Sequence, residues 1–209
     1  MKMVKIEREE KKERKIAPPP SQILFHYPKD DIKRLIGEIY RERNLEEIGF
    51  SRNEKQFDYP FLDELNFYIK NEAFKKMVFH SYEMAKEEKE AMGFIIGDLF
   101  YWEEEYTIAF DIITAPLDSS SFNVKFKRDA FGEIFDKLDE IKGDYIIVGW
   151  YHSHPGYSSF MSGTDLDTQK NYFNKRFHAS IVIDPINKEA RAFRIINEEC
   201  FEIPYAIFK

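Results

Sequence analysis

The chain has 209 residues, one cysteine and a formal net charge of −7 at pH 7. This length can bury a sizeable core, as one main domain with an accessory segment. The single cysteine excludes a disulfide framework, the negative charge disfavours general nucleic-acid binding, and no apolar run reaches membrane-spanning length. We therefore expect a cytoplasmic protein that binds neither nucleic acid nor membranes.

The first 64 residues divide into two predicted parts. Residues 1–20 carry mixed charges and end in three prolines, which predicts a flexible charged arm. Residues 21–64 form a predicted accessory segment, with a helix over about Asp31–Arg43 and a connecting loop over Ser51–Pro60. The helix has one apolar stripe, which consists of Ile32, Leu35, Ile36, Ile39 and Tyr40.

This stripe must pack on another apolar surface. We favour packing on the rest of the same chain. Two alternatives stay open, a second copy of the chain, which would make a homodimer through the N-terminal segment, and another protein.

Residues 65–209 form the predicted main domain, in which apolar strands alternate with amphipathic helices. Helices are expected over Glu72–Glu88 and Asp129–Ile141. The mostly antiparallel strands, flanked by helices, predict an α/β fold. The strands are expected near Phe67–Lys70, on both sides of a turn at Glu103–Glu105, near Tyr145–Tyr151, and near Ala179–Ile183, Ala190–Ile196 and Phe201–Phe208.

The most informative motif is a pair of histidines, His152 and His154, followed eleven positions later by Asp165. Side chains at i and i+2 of an extended chain point to the same face, so the two imidazoles can converge on one ion. Three nitrogen and oxygen ligands with a fourth position left for water are typical of a catalytic zinc site. With one cysteine in the chain, a closed cysteine site is excluded.

The residues around the motif predict how its ligands are presented. Pro155-Gly156 ends the strand, and a helix begins near Ser162, where hydroxyl and acidic residues favour a helix N-terminus. Asp165 would lie in its first turn. Upstream, Glu90 stands between a helix and an apolar strand, where its carboxylate could exchange protons with water activated by the metal.

Three segments together resemble the JAMM, or MPN-plus, metalloprotease family. They are Glu90-Ala91-Met92-Gly93, His152-Ser153-His154-Pro155 and, six residues later, Ser162-Gly163-Thr164-Asp165. The longer match around them, which covers about Asn66–Phe193, is similar to the proteasome-lid and signalosome type of catalytic subunit.

The resemblance implies an MPN domain whose zinc site lies at one sheet edge, with the helical N-terminal extension added. It implies a zinc isopeptidase that uses zinc-activated water to cleave ubiquitin or a ubiquitin-like modifier from lysine side chains. His152, His154 and Asp165 would hold one catalytic Zn²⁺, Glu90 would be the acid/base and Ser162 would stabilise the oxyanion. The residues between Pro116 and Lys125, and those after Asp165, would flank the modifier's extended tail.

Several residues have simpler interpretations. Ser162 could be an ordinary helix cap, and Glu90 could be the last residue of a charged helix face. His26, His80 and His178 lack partner spacing and are expected on the surface or in the core, and Cys200 is expected to be a small buried apolar residue. Residues 158–160 read Ser-Ser-Phe where similar members often carry a small residue, Cys and Trp.

Two other functions of the same fold stay open from the sequence. One is a peptidase that processes a small sulfur-carrier or ubiquitin-like protein, and the other is a non-catalytic MPN scaffold. Scaffold members have typically lost metal ligands, and this chain keeps them all. A zinc nucleoside deaminase is excluded, because it would need a pair of cysteine ligands.

Overall fold

The structure is a computed structural model that describes residues 15–49, 57–114 and 145–209. Most of the predicted arm, the predicted helix at Asp129–Ile141 and the predicted tail-flanking residues 116–125 lie outside this part of the chain. None of the described helices is long and apolar enough to cross a membrane.

The described residues form three helices and ten strands, and all ten strands belong to one sheet. The helices are α1 (Ile32–Glu42), α2 (Asn71–Lys86) and α3 (Gly163–Tyr172). The strands are β1 (Lys15–Ile16), β2 (Ile23–Tyr27), β3 (Phe67–Lys70), β4 (Met92–Tyr101), β5 (Glu105–Thr114), β6 (Ile146–Ser153), β7 (Ala179–Asp184), β8 (Glu189–Ile196), β9 (Glu199–Ile203) and β10 (Tyr205–Phe208).

The sheet is mixed and runs in the order β2-β10-β3-β5-β4-β6-β7-β8-β9, with β1 parallel to the end of β4. Five of the described strand pairs are antiparallel and four are parallel, so antiparallel pairs are the majority, as predicted. The sheet curls strongly. β2 and β9 stand at opposite ends of the strand order, yet Tyr27 of β2 donates a hydrogen bond to Glu202 of β9. The α/β fold class is confirmed.

The predicted helix near residue 31 forms, and its stripe packs within the same chain. Asp31 caps α1 by accepting hydrogen bonds from the backbone of Lys33 and Arg34. Ile36, Ile39 and Tyr40 are buried in the main core together with the apolar face of α2. The favoured intramolecular packing is therefore confirmed, whereas a homodimer through the N-terminal segment stays a prediction.

Three features of the chain differ from the predicted elements. Lys15–Ile16, in the predicted flexible arm, forms β1 and pairs with β4. The accessory segment also contains β2, which pairs with β10 and so joins the main sheet. The single strand predicted at Phe201–Phe208 is divided at Pro204 into β9 and β10, since proline has no N–H to give to a ladder. The boundary predicted between residues 64 and 65 stays a prediction, with sheet pairing on both sides of it.

The sheet register determines where the site lies. β4 begins beside the end of β6, with Met92 opposite His152. The residues that precede β4 and those that follow β6 therefore meet beside the ends of two central strands, where the sequence places Glu90 and His154.

We predict that the N-terminal helix stabilises the whole domain. Ile36→Ala should lower the free energy of unfolding by about 2–5 kcal/mol, because Ile36 is fully buried and its removal leaves a cavity. Chemical denaturation followed by circular dichroism measures this change. Lys33→Ala on the exposed side of α1 is the matched control, and an equal effect of both substitutions would contradict the prediction.

Candidate metal centre

The structure brings the three predicted ligands together. His152 is near the end of β6, His154 follows the strand, and Asp165 lies in the first turn of α3. The Asp165 Oδ2 atom is 3.3 Å from Nε2 of His152 and 3.4 Å from Nε2 of His154. One ligand atom from each of the three residues lies within 4.8 Å of the other two, and all three residues are buried.

The two histidines are held by the centre of the sheet. β6 pairs with β4 on one side and with β7 on the other, and His152 stands opposite Val182 of β7. The His154 backbone N–H donates to the Ile183 carbonyl at 2.9 Å, so β7 also guides the chain after the strand ends. Both imidazoles therefore sit on backbone that is fixed by hydrogen bonds.

Asp165 is positioned by a capping box. The Ser162 Oγ atom accepts a hydrogen bond from the Asp165 N–H at 3.3 Å, and the Asp165 Oδ2 atom accepts one from the Ser162 N–H at 2.7 Å. The predicted helix cap at Ser162 is thus present. It fixes the same carboxylate oxygen that faces the two histidines.

Aromatic rings pack against the His152 ring. The Trp150 ring lies 4.4 Å from the His152 ring at an interplanar angle of 15°, and the Phe173 ring also stacks on Trp150. The indole N–H of Trp150 donates to Gln169 of α3 at 2.6 Å. Because Gln169 and Asp165 share one helix, this bond also orients α3 against β6.

The site fits a metal ion by the chemistry of its unpaired atoms. Both ring nitrogens of His152 and the Nδ1 atom of His154 are buried without a hydrogen-bond partner in the described part of the chain. Asp165 lies within ion-pair distance of His152, but the two side chains do not have the geometry of a hydrogen bond. Buried polar atoms without partners are costly, and a cation between these residues would satisfy the Nε2 atom of His152. Two imidazole nitrogens and one carboxylate oxygen form a donor set that suits zinc.

The electrostatics of the site favour positive charge. Burial would raise the pKa of Asp165, but the two neighbouring imidazoles outweigh it and hold the pKa of this carboxyl well below its usual range. Burial would lower the pKa of His154, but Asp165 and then Glu90 raise it above the ordinary value. The carboxylates thus attract a cation to the position between the imidazoles.

A cavity of about 330 Å³ opens onto these residues, and Glu90 lines it together with His152, His154 and Asp165. The backbone next to Glu90 is fixed, since the Ala91 N–H donates to the Ser153 Oγ atom at 2.7 Å. Burial raises the pKa of Glu90, the two histidines lower it, and the net direction is upward. Glu90 is therefore not a freely solvated residue of a charged helix face.

The packing of the sheet explains why the motif has glycine at position 93. A Cβ atom at this position would lie 2.5 Å from the Tyr151 ring and 2.8 Å from the Ile113 carbonyl oxygen. The absence of a side chain lets β4 approach β6 closely beside the ligands. Tyr151 in turn shares a 2.8 Å hydrogen bond with His80.

Sequence reasoning missed Asp184, a fully buried residue at the end of β7. Its carboxylate accepts hydrogen bonds from the backbone N–H groups of Gly156 at 2.9 Å and Ser158 at 2.7 Å. It also binds the turn at Ile186 and Asn187. Asp184 thus holds the loop that follows His154. The Asp-Pro-x-Asn sequence at a strand end is a turn signal that could have pointed to it.

The loop of residues 158–160, where the sequence departs from similar members, lies against the site. Ser158 has a positive φ of 72°, a conformation that glycine adopts at lower cost. The Phe160 ring lies 4.7 Å from the His154 ring and stacks on Phe57. The departure therefore changes the packing beside one ligand and leaves the ligand set complete.

His178 and Cys200 have roles outside the candidate site. His178 is buried and its Nδ1 atom accepts a hydrogen bond from the Lys175 N–H, and burial lowers the pKa of His178 to about 4. Cys200 packs against the core cluster that contains Trp150, and burial raises the pKa of its thiol to about 12. Neither residue lines the cavity.

We predict that Asp184 is essential for the stability of the loop after His154. Asp184→Ala should lower the free energy of unfolding by about 2–4 kcal/mol, because two buried backbone N–H groups lose their acceptor. Asp111→Ala removes an exposed carboxylate paired with Lys76 and should cost less than about 1 kcal/mol. Denaturant titration of both variants tests the difference, which should vanish if the Asp184 bonds are unimportant.

Comparison with known proteins identifies the family of the chain. Residues 64–176, more than half of the chain, match the model of the family described as JAB1/Mov34/MPN/PAD-1 ubiquitin protease. The 26S proteasome regulatory subunit RPN11 of Eremothecium gossypii is 34% identical over 138 residues, which cover 62% of this chain and 43% of that protein. The ubiquitin carboxyl-terminal hydrolase RPN11 of Saccharomyces cerevisiae is 32% identical, with 62% and 44% covered.

A third relative is the COP9 signalosome complex subunit 5 of Candida albicans, 30% identical over 140 residues, which cover 61% of this chain and 22% of that protein. The alignments thus span less than half the length of these curated relatives. Each match is with a protein of the type that the motifs resemble. The family match over residues 64–176 establishes that the chain belongs to the JAB1/Mov34/MPN/PAD-1 family and contains an MPN domain of the JAMM metalloprotease type.

Proposed function

We propose that the protein is a zinc-dependent isopeptidase that removes ubiquitin or a ubiquitin-like modifier from lysine side chains. The observation that supports this most directly is the buried cluster of His152, His154 and Asp165, which opens onto a cavity that Glu90 and Ser162 also line. The name of the Saccharomyces cerevisiae relative, ubiquitin carboxyl-terminal hydrolase, supports the substrate class. The identity of the substrate, and membership of the protein in any larger complex, are parts of this proposal.

The three buried side chains would hold the ion, two through imidazole nitrogens and one through a carboxylate oxygen. When bound, zinc would lower the pKa of water to near 7 and polarise the scissile carbonyl. The protein's own contribution is rigidity. β6 and the capped start of α3 fix the donor atoms before any ion arrives, so little reorganisation is needed.

Glu90 is the proposed proton carrier. Its carboxylate lines the cavity beside the ligands, and its net upward pKa shift makes it a better proton acceptor near neutral pH than a solvated glutamate. It would take the proton from the attacking water and later give it to the departing lysine nitrogen. The hydrogen bonds between Ala91 and Ser153 keep this residue at the edge of the site.

Ser162 is the proposed oxyanion stabiliser. Its Oγ atom accepts a hydrogen bond from the Asp165 N–H, which leaves the hydroxyl hydrogen available for a donor role toward the cavity. A donor that is fixed before the reaction stabilises the developing negative charge at little reorganisation cost. Capping of α3 and oxyanion binding are therefore compatible roles of one side chain.

The test of the proposed function is cleavage by the zinc-loaded full-length protein. Modifier–lysine conjugates, including ubiquitin conjugates, and carrier proteins with C-terminal peptide extensions would be incubated separately with it. Mass spectrometry of the products identifies the bond that is cut. Cleavage of the conjugates supports an isopeptidase, cleavage of extended carriers alone supports the carrier-processing alternative, and no cleavage by zinc-loaded protein supports the scaffold alternative.

We predict that two conservative substitutions both abolish cleavage but that only one of them weakens zinc binding. Glu90→Gln should keep zinc and lose cleavage by at least about 100-fold, because only proton transfer is removed. Asp165→Asn should lose cleavage and also weaken zinc binding, beyond the roughly 10–100-fold typical of changes outside the ligand shell. Asp167→Asn, an exposed carboxylate on the same helix, is the control. Elemental analysis and the cleavage assay measure both effects, and full activity of Glu90→Gln would overturn the acid/base role.

We also predict that activity depends on a metal and not on a thiol. Burial raises the pKa of Cys200 to about 12, so almost no thiolate is present at pH 8, and alkylation should be far slower than for a free cysteine. The alkylation rate should rise about tenfold per pH unit up to that pKa. A chelator should abolish cleavage and N-ethylmaleimide should not. The reverse pattern would identify a thiol enzyme.

A further inference from the structure

A segment that precedes the matched family region reaches the candidate site. We call Phe57–Leu62 the clasp segment; it lies before residue 64, where the family match begins. Its backbone is fastened to β9, since the Glu202 N–H donates to the Pro60 carbonyl at 2.9 Å and the Leu62 N–H donates to the Glu202 carbonyl at 3.0 Å. Phe61 and Glu202 form a parallel bridge. The segment is thus a short addition to the sheet and has a fixed position.

Tyr59 of the clasp segment binds both backbone groups of Met161. Its hydroxyl donates to the Met161 carbonyl at 3.2 Å and accepts from the Met161 N–H at 3.0 Å. The ring packs edge-on against Phe193 at 4.9 Å, which orients the hydroxyl. Met161 is itself buried. One side chain therefore satisfies both backbone groups of the residue directly before Ser162.

These bonds hold one particular peptide plane, the one that joins Met161 to Ser162. Tyr59 binds its carbonyl oxygen, and the Asp165 Oδ2 atom accepts from its N–H at 2.7 Å. That same oxygen faces the Nε2 atoms of His152 and His154. A movement of the Tyr59 hydroxyl would therefore be transmitted through a single rigid peptide to Ser162 and to a metal-ligating oxygen.

Phe57 provides a second contact between the clasp segment and the site. Its ring stacks on Phe160 at 4.1 Å and 16°, and Phe160 lies 4.7 Å from the His154 ring. The Arg191 guanidinium donates to the Phe57 carbonyl at 3.4 Å. The clasp segment thus contacts the loop of residues 158–161 at two points, one polar and one aromatic.

We propose that Tyr59 is a positioning residue for the active site, and that the clasp segment is a functional part of the catalytic centre. The proposal rests on the isopeptidase function proposed above. Tyr59 contacts no reacting atom; it acts through the Met161–Ser162 peptide on the proposed oxyanion donor Ser162 and on the orientation of Asp165. This assigns a role in the reaction to a segment outside the matched family region.

The test compares Tyr59→Phe with Tyr106→Phe in the full-length protein. Tyr106 is a matched control, because its hydroxyl also donates to a backbone carbonyl, that of Ala17 at 2.8 Å, and it does not line the cavity. Tyr59→Phe should lower kcat about 10–100-fold while KM changes less than about threefold, since a small misplacement of catalytic groups is costly. Tyr106→Phe should leave both values near those of the wild type. Equal kcat for the two variants would overturn the proposal.

Amide hydrogen exchange gives a readout that does not need activity. In Tyr59→Phe the Met161 and Ser162 amides should exchange at least about tenfold faster than in the wild type, because local opening of the loop becomes easier. Unchanged exchange at both amides would refute the positioning role. If the wild type cleaves no conjugate, the proposed function fails, whereas the exchange comparison still decides whether Tyr59 holds this peptide.

A second variant keeps the test decisive if Tyr59→Phe does not fold. Phe57→Leu removes the ring stacked on Phe160 without removing a polar group. It should lower kcat relative to Tyr106→Phe and speed exchange in residues 158–162. A folded Phe57→Leu protein with wild-type kcat and wild-type exchange would count against the clasp segment as part of the site.

Discussion

The site depends on one carboxylate oxygen. The Asp165 Oδ2 atom accepts the N–H of Ser162 and lies within 3.4 Å of the Nε2 atoms of His152 and His154. Burial opposes negative charge at this position, and the two neighbouring imidazoles oppose that effect and hold the pKa of the carboxyl well below its usual range. The end of β6 and the start of α3 therefore meet at this oxygen. β4 and β7 hold β6 in place, and the bond from Trp150 to Gln169 joins α3 to β6.

The residues packed around His152 keep its unpaired ring nitrogens in a fixed position. His152 is buried with neither ring nitrogen hydrogen-bonded, yet its ring is stacked on the Trp150 ring. Gln169 links that stack to α3, and Asp184 holds the loop after His154. A donor set fixed in this way is preorganised for an ion.

The parts predicted correctly from sequence are those determined by local spacing. The His-x-His pair, the Ser162 cap and the stripe of α1 follow from periods of two and of 3.6 residues and from helix-capping chemistry. β2 was missed because a five-residue strand carries little periodic signal. Tyr59 and Asp184 were missed for another reason: their partners are backbone groups 102 residues and 26 to 28 residues away, which only the topology brings near.

The same topology explains how residues before the matched region can act at the site. Glu202 lies where the curled sheet comes together: Tyr27 of β2 donates to its carboxylate, and its backbone binds Pro60 and Leu62. β9 continues through Pro204 into β10, which pairs with β2 and β3. A sheet that returns on itself places its first and last strands beside each other, so a segment distant in sequence becomes a neighbour of the ligand loop. Position in the curled sheet, and not the extent of the family match, therefore determines which residues can contribute to the site.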